Sequence, residues 1–428
     1  MILDFNRFAK TIGKANKFAQ DISTRKNILF KLHGSTLSVC YSDGKKSFIE
    51  KLDCELEDGD QDEDAIVLLD YIMEILSVSA GSGNIHCDTI SIKFDGRDKM
   101  KAYAEKYYVI ENGDEAIKRV CSKITKEAPY TVAANMKGGT ILTRCNYDDI
   151  FKAFESDEDG VYDAWSKQDM REMLDRLSKN EPKACFVSAK MNTAFSTPAA
   201  GVAMTVLPIR AKISNGFAMS SKEAKYVADI WNLSDDVSNI YVHNHENRYC
   251  YMVSDDNRIG IMFENAKATK LDSANYQKFM STPYDHYTAV FFREILTDML
   301  KNALATGKSD TATVTFKMQG IENIDSAYEG EELTMNINRG DAMSSLSGFT
   351  CSAVTYETGD EAEKPITELS FNIALKVLYN LVTNCVDSFV VLNAEKDGNF
   401  ILLKLTDGHR DENKEIIASA YHYMSAQE

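Results

Sequence analysis

FNRFAKTIGKANKFAQDI, residues Phe5–Ile22, decides how the chain is read, because the two faces of this stretch make opposite demands. At about 100° per residue, Phe8, Ile12, Ala15, Ala19 and Ile22 share one helical stripe, while Arg7, Lys10, Lys14 and Lys17 share another. Asp4 stands where a helix takes its N-cap. The chain holds 65 acidic residues in 428, so a 16-residue window should contain about two. Phe5–Gln20 contains none and carries four basic residues. An acidic protein has kept one helix face positive.

The totals bound what such a face can mean. A length of 428 residues suffices for several domains with sizeable cores. A net charge of −17 excludes a protein that coats nucleic acid with its whole surface, but leaves room for binding through a local cationic lining. The sequence has no apolar run near the length of a membrane span and no charged-then-apolar leader at Met1, so neither a span nor a secretion signal is expected. A cytoplasmic location follows as an expectation, with no membrane partner. The nine cysteines are odd in number, dispersed and never spaced C-x-x-C, which reads as reduced and mostly buried thiols.

Working outward from the first helix, strands are expected at Asn27–His33, Thr36–Tyr41 and Phe48–Leu56, turned at Gly34-Ser35 and Asp43-Gly44. A helix at Ala65–Val78 and a strand at Ile85–Phe94 complete a first unit. Gly96–Phe154 reads less regularly, with a helix over Ala116–Ile124 and a hairpin at Gly138-Gly139. A second unit opens with a helix at Ser166–Lys179, strands at Ala184–Met191, Val202–Ile209 and Arg210–Ile213, a helix at Ser221–Trp231 and a hairpin at Ile240–Phe263. The third repeats the order: a helix at Thr288–Leu304, strands at Ala312–Met318, Glu332–Ile337 and Phe349–Tyr356, a helix at Phe371–Val382, and a hairpin at Phe389–Leu405. Helices starting near 5, 167 and 288, each followed by a second near 65, 221 and 371, indicate an internal structural repeat. Two amphipathic helices per unit need a sheet to cover them, which gives an α+β class of two-layer domains. If the three sheets join edge to edge, the helices share one side, and a shared side with positive stripes faces DNA.

Several segments resemble the β-subunit family of bacterial-type DNA polymerase sliding clamps. LSFNIALKVLYNLV at Leu369–Val382 is similar to the family segment in which Phe-Asn introduces the last inner helix, and SFVVLNAEKDGNFILLKL follows it as in the family. TLSVCYSDGKKSFIEKL at Thr36–Leu52 resembles the family's paired strands, and LDSANYQKFM at Leu271–Met280 its linking segment. The chain is longer than a typical member, lacks the Pro before that Tyr, and ends in AYHYMSAQE without the short Pro-Met-Arg-Leu-like tail. TDGHR at Thr406–Arg410 matches a family sequence from another domain and carries no weight. The departures suggest a divergent clamp, such as a phage-encoded one.

The resemblance implies three clamp-like domains, 1–130 with an insertion over 97–150, 131–284 and 285–428, with helices inside and antiparallel sheets outside, forming part of a closed ring. It implies a homodimer that encircles double-stranded DNA without sequence preference, tethers a DNA polymerase and is opened by a clamp loader. Candidates for backbone phosphate contact are Arg7, Lys10, Lys14, Lys17, Lys167, Arg171, Lys222, Lys225, Arg293, Lys301 and Lys376. The implied partner pocket, at the junction of the second and third domains with the tail, offers Leu207, Pro208, Tyr276, Pro283, Tyr423 and Met424. The alternatives are a structural or assembly protein, such as a virion component, and a phage clamp acting in transcription.

Other chemistry finds little support. His243 and His245 would share a strand face, without a Cys or carboxylate at ligand spacing. Asp407, His409 and several serines supply triad residue types but no nucleophile motif. No phosphate-cradling glycine motif is present. No enzyme activity, cofactor or metal is expected. Phe291 and Phe292 are read as apolar helix positions, more suited to a core than to stacking on bases.

Overall fold

The computed structural model describes residues 1–19, 26–95, 98–112, 115–136, 139–152, 154, 162–179, 182, 184–197, 203–245, 248–265, 278–284, 287–306, 311–318, 332–339, 342–349, 356–357, 364–365, 368–410 and 416–427. The main helices are α1 (Phe5–Phe18), α2 (Leu69–Ser79), α3 (Lys167–Ser178), α4 (Ser221–Asn232), α5 (Arg293–Thr306) and α6 (Leu375–Asn384). The chain divides into two compact units, Met1–Glu172 with Lys225–Asn265, and Met173–Ala224 with Ala266–Glu428. The second expected domain, 131–284, is therefore shared between them, and the boundary falls within α3 and α4.

One continuous antiparallel sheet runs through the first unit. Its path starts at Ile2–Asp4, Thr89–Phe94, Lys99–Asn112 and Glu115–Val132, and continues through Glu63–Leu68, Asn27–His33, Thr36–Ser42 and Lys46–Asp53. There Lys46–Asp53 pairs with Ile259–Glu264, with Phe48 opposite Ile261, and Tyr249–Ser254, Asn239–His245 and Asp163–Ser166 carry the sheet on. This ladder joins strands of the first repeat to strands of the second. Gly260 lies in it, and a Cβ there would meet Ile150 and Ile49 at 3.0 Å and Phe151 at 3.1 Å. Helix α1 covers the sheet with Phe8, Ile12, Ala15 and Phe18, all at most 1% exposed, as its apolar stripe requires.

The second unit is built the same way. Phe217–Met219, Ala184–Ser188, Thr193–Thr197 and Ala203–Pro208 lead to Ile416–Gln427, and the sheet continues through Glu368–Ala374, Thr311–Met318, Glu332–Arg339 and Ala342–Phe349. Ala203–Pro208 pairs with Ile416–Gln427, Met204 opposite Tyr423, so strands of the second and third repeats are hydrogen-bonded too. Helices α5 and α6 pack on each other and on a core that includes Leu300, Val314, Phe371, Leu378, Val382 and Leu403. The expected α+β class with edge-to-edge sheets is what the chain adopts.

Several expected elements change type. The helices read as starting at Ala65, Thr288 and Phe371 each begin as a strand, Glu63–Leu68, Tyr287–Phe292 and Glu368–Ala374, and turn helical only at Leu69, Arg293 and Leu375. Unbroken apolar runs such as AIVLL and TAVFF satisfy a helical stripe and a buried strand equally, and their β-branched and aromatic content favours the strand. Phe291 and Phe292 therefore lie on a strand, Phe291 5% exposed and Phe292 43% exposed beside Phe389. Ala116–Ile124 is not a helix but lies within strand Glu115–Val132, laddered to Lys99–Asn112. Gly138 lies outside the described residues, and Gly139 precedes a helical turn, Ile141–Arg144, closed by a Thr140/Thr143 capping box. Arg210–Ile213 forms no strand, because Asn192 takes the backbone N–H of Ile213 with its side chain; Thr193–Thr197 is the strand that pairs instead. The strand read at Phe349–Tyr356 runs earlier, over Ala342–Phe349, and 350–355 lie outside the described residues, as does Ile22.

Candidate nucleic-acid interface

Helix α1 forms where its cap predicts, with the Asp4 carboxylate accepting the Arg7 backbone N–H at 2.7 Å. Its cationic stripe is divided by burial. Thr11 and Phe18 are buried along with the apolar stripe. Lys14 is buried with them, 3% exposed, and pairs with Glu50 at 2.9 Å. An ammonium held there is part of the interior, so its expected phosphate contact is corrected to a buried ion pair.

The other three cations of α1 stay partly exposed but meet acids of the same unit. Lys17 pairs with Asp229 on α4 at 3.0 Å, Lys10 with Asp235, and Arg7 lies 3.8 Å from Asp236. The first turn of α3 points to the same place. Lys167 donates to the carbonyls of Ser234 at 2.8 Å and Asp235 at 3.4 Å, and Arg171 donates to the Asn232 side chain at 2.9 Å. Cations gather at the C-terminal end of α4, where the free carbonyls and the macrodipole favour them. The Lys10 ammonium holds the Asp235 carboxyl below the usual carboxylate range. Around this junction lies a cavity of about 350 Å³ whose lining includes Arg7, Lys10, Asp235, Asp236 and Arg258. Its charge is mixed rather than positive. The sequence reading missed the three acids Asp229, Asp235 and Asp236, although Leu233-Ser234-Asp235-Asp236 directly after a helix was a visible signal.

The remaining candidates separate clearly. Arg293 donates to the carbonyls of Cys385 at 3.1 Å and Val386 at 2.9 Å, finishing the end of α6 rather than facing outward. Lys225 on α4 and Lys301 on α5 are exposed and form no ion pair among the described residues. Lys222 is also exposed on α4. Lys376, exposed on α6, stands 5.0 Å over the Tyr379 ring.

Among the described residues, three of the expected partner pocket are buried within the unit. Leu207, Tyr423 and Met424 are 5%, 3% and 0% exposed. Tyr423 is covered by Phe279 and Tyr284 of the same unit, ring centroids 5.7 and 5.9 Å away. Pro208 and Pro283 are exposed, and Tyr276 lies outside the described residues. These apolar groups fill a core at the joined sheet edge, where the alternation of strand side chains turns them inward.

His243 is edge-on to Phe154 at 6.1 Å. Metal-ligating side chains converge instead, among the described residues, at Cys385, Asp407 and His422 in the second unit.

No protein-family model matches the sequence, and no curated protein matches it. Solved structures do match. The DNA polymerase sliding clamp from Pseudomonas aeruginosa is 10% identical with a TM-score of 0.66, covering 100% of this chain and 99% of its own. The DNA polymerase III β subunit from Thermotoga maritima is 12% identical with a TM-score of 0.66 over the same shares. The sliding clamp from Caulobacter crescentus is 9% identical with a TM-score of 0.67, again covering 100% and 99%. Along its whole length the chain carries the fold of the bacterial DNA polymerase sliding clamp, at 9–12% sequence identity to these structures.

Proposed function

We propose that the protein is a sliding clamp that encircles duplex DNA and tethers a DNA polymerase for processive replication, with no catalysis of its own. The observation that carries this reading is the clamp fold spanning the full chain, supported by the two ladders that hydrogen-bond successive repeats at their sheet edges. In this reading the repeats are the three domains 1–130, 131–284 and 285–428, two copies close a homodimeric ring, and a separate loader opens it in the cytoplasm of a bacterium or a phage-infected host. A topological link holds DNA without tight contacts, so modest phosphate attraction suffices and sliding is unhindered. With the α1 cations engaged internally, that attraction comes mainly from Lys225, Lys301 and Lys376.

The test is retention on DNA of defined topology. Protein loaded on a nicked circle is expected to stay through gel filtration in moderate salt and to be released when the circle is cut once. Equal behaviour on circular and linear DNA would overturn the clamp reading and favour a structural protein.

A further inference from the structure

We infer that the second unit contains a binding site for one Zn²⁺ ion, with Cys385, Asp407 and His422 as its ligands. The three side chains come from the end of α6, from strand Phe400–Arg410 and from strand Ile416–Gln427. They are 2%, 0% and 0% exposed, and one ligand atom from each lies within 4.8 Å of the other two.

The surroundings are arranged as a ligand set's outer shell would be. His422 Nδ1 is 3.0 Å from the Thr205 hydroxyl, which fixes the ring, while Nε2 has no hydrogen-bond partner despite full burial. Metal-bound imidazoles are held in this way through their other nitrogen. The Asp407 carboxylate accepts the backbone N–H of Asp387 on Oδ1 and that of Val386 on Oδ2, each at 2.9 Å, and Arg176 pairs with Oδ2. Oδ1 therefore keeps a lone pair for an ion. Cys385 Sγ makes a single weak bond, 3.5 Å to the Leu381 carbonyl. Asn384 Oδ1 and Arg176 Nε are also buried without partners, so polar groups outnumber the bonds available to them, an imbalance that an ion with one bound water relieves.

Thiolate, imidazole and carboxylate together select a borderline-soft ion, and three protein ligands with one open position suit tetrahedral Zn²⁺. Bond lengths of about 2.0–2.3 Å would place the ligand atoms about 3.3–3.6 Å apart, so side-chain rotations that move them by about 1 Å close the site. Binding forms an S–Zn bond, and the Cys385 thiol proton leaves to solvent. The ion would tie the end of α6 to two strands of the joined sheet with a water in its fourth position, independently of the clamp reading.

The experiment uses the full chain after EDTA treatment, titrated with Co²⁺ and separately with Zn²⁺. One equivalent of Co²⁺ is expected to give a thiolate charge-transfer band, Zn²⁺ to displace it, and Zn²⁺ to protect Cys385 from alkylation, read by mass spectrometry. The band should vanish in Cys385→Ser and weaken at least tenfold in affinity in His422→Gln. Absence of the band in the wild-type chain, or its survival in Cys385→Ser, overturns the site. If Cys385→Ser does not fold, failure of the EDTA-treated wild-type chain to take up one equivalent of Zn²⁺, read by native mass spectrometry, overturns it equally.

Discussion

Replacing Lys14 by Met separates a buried ion pair from a DNA contact. The Lys14 and Glu50 side chains are 4% and 7% exposed, 2.9 Å apart, and the second Glu50 oxygen has no partner. Removing the ammonium leaves a buried carboxylate with neither oxygen paired, which costs about 3–5 kcal/mol, whereas replacing both partners with apolar groups is about neutral. Lys14→Met should therefore lower the urea midpoint of the first unit by about 1–2 M. The double variant Lys14→Met/Glu50→Leu should recover most of that loss, a coupling of about 2 kcal/mol or more by double-mutant cycle. On the proposed clamp reading, the double variant should also be retained on circular DNA, as is expected of the wild type. Additive effects in the cycle, or a folded double variant that no longer stays on circles, would refute the reasoning and return Lys14 to the phosphate contacts.

Other expectations follow from the same geometry. Lys225→Glu, Lys301→Glu and Lys376→Glu should each weaken DNA binding at unchanged melting temperature, and neutralising one contact should lower the slope of log K against log salt by about 0.9. Lys10→Glu, which breaks an exposed pair with Asp235, should leave the denaturation midpoint nearly unchanged. Gly260→Ala crowds Ile150, Ile49 and Phe151 by a few tenths of an ångström and should destabilise the first unit by about 1 kcal/mol. In metal-free protein, burial and then Arg176 push the His422 imidazole down to about 3, against the opposing pull of Asp407. The unfolded imidazole takes a proton near pH 6.5, so the unfolded state binds the extra proton between the two values. Stability should then fall as pH is lowered through that window, and His422→Gln should flatten the dependence.

The fold was largely legible because its signals are local and periodic. Asn27–His33 occurs with the expected bounds, and α3 and α4 lie within a residue of theirs. The misreadings share one cause. At Ala65, Thr288 and Phe371 a buried strand passes directly into a helix, and both elements ask for unbroken apolar residues, so periodicity shows that the segment is buried without showing where it changes type. Glu115–Val132 escaped for the opposite reason: its alternation is diluted by Lys118, Arg119, Lys123 and Lys126, which satisfy an exposed ladder and an exposed helix alike.

The site was less legible because charge compensation is a property of pairs. The α1 stripe places Arg7, Lys10, Lys14 and Lys17 on one face, but what that face meets is decided by Glu50 and by Asp229, Asp235 and Asp236, some 200 residues away in three of the four cases. A cation's value to a passing phosphate falls with each acid already beside it, so the most conspicuous stripe in the sequence is the most compensated in the structure. Lys225 and Lys301, which stood out less, are exposed without such partners among the described residues. The same argument applies to Cys385, Asp407 and His422. Their spacing matches no ligand motif, because what brings them together is the Leu405–His422 strand register and the end of α6. On the proposed clamp reading, a chain whose first helix is compensated should grip DNA weakly in salt and depend on closure of the ring. Linear DNA should therefore release it within the dead time of the same column on which circles retain it.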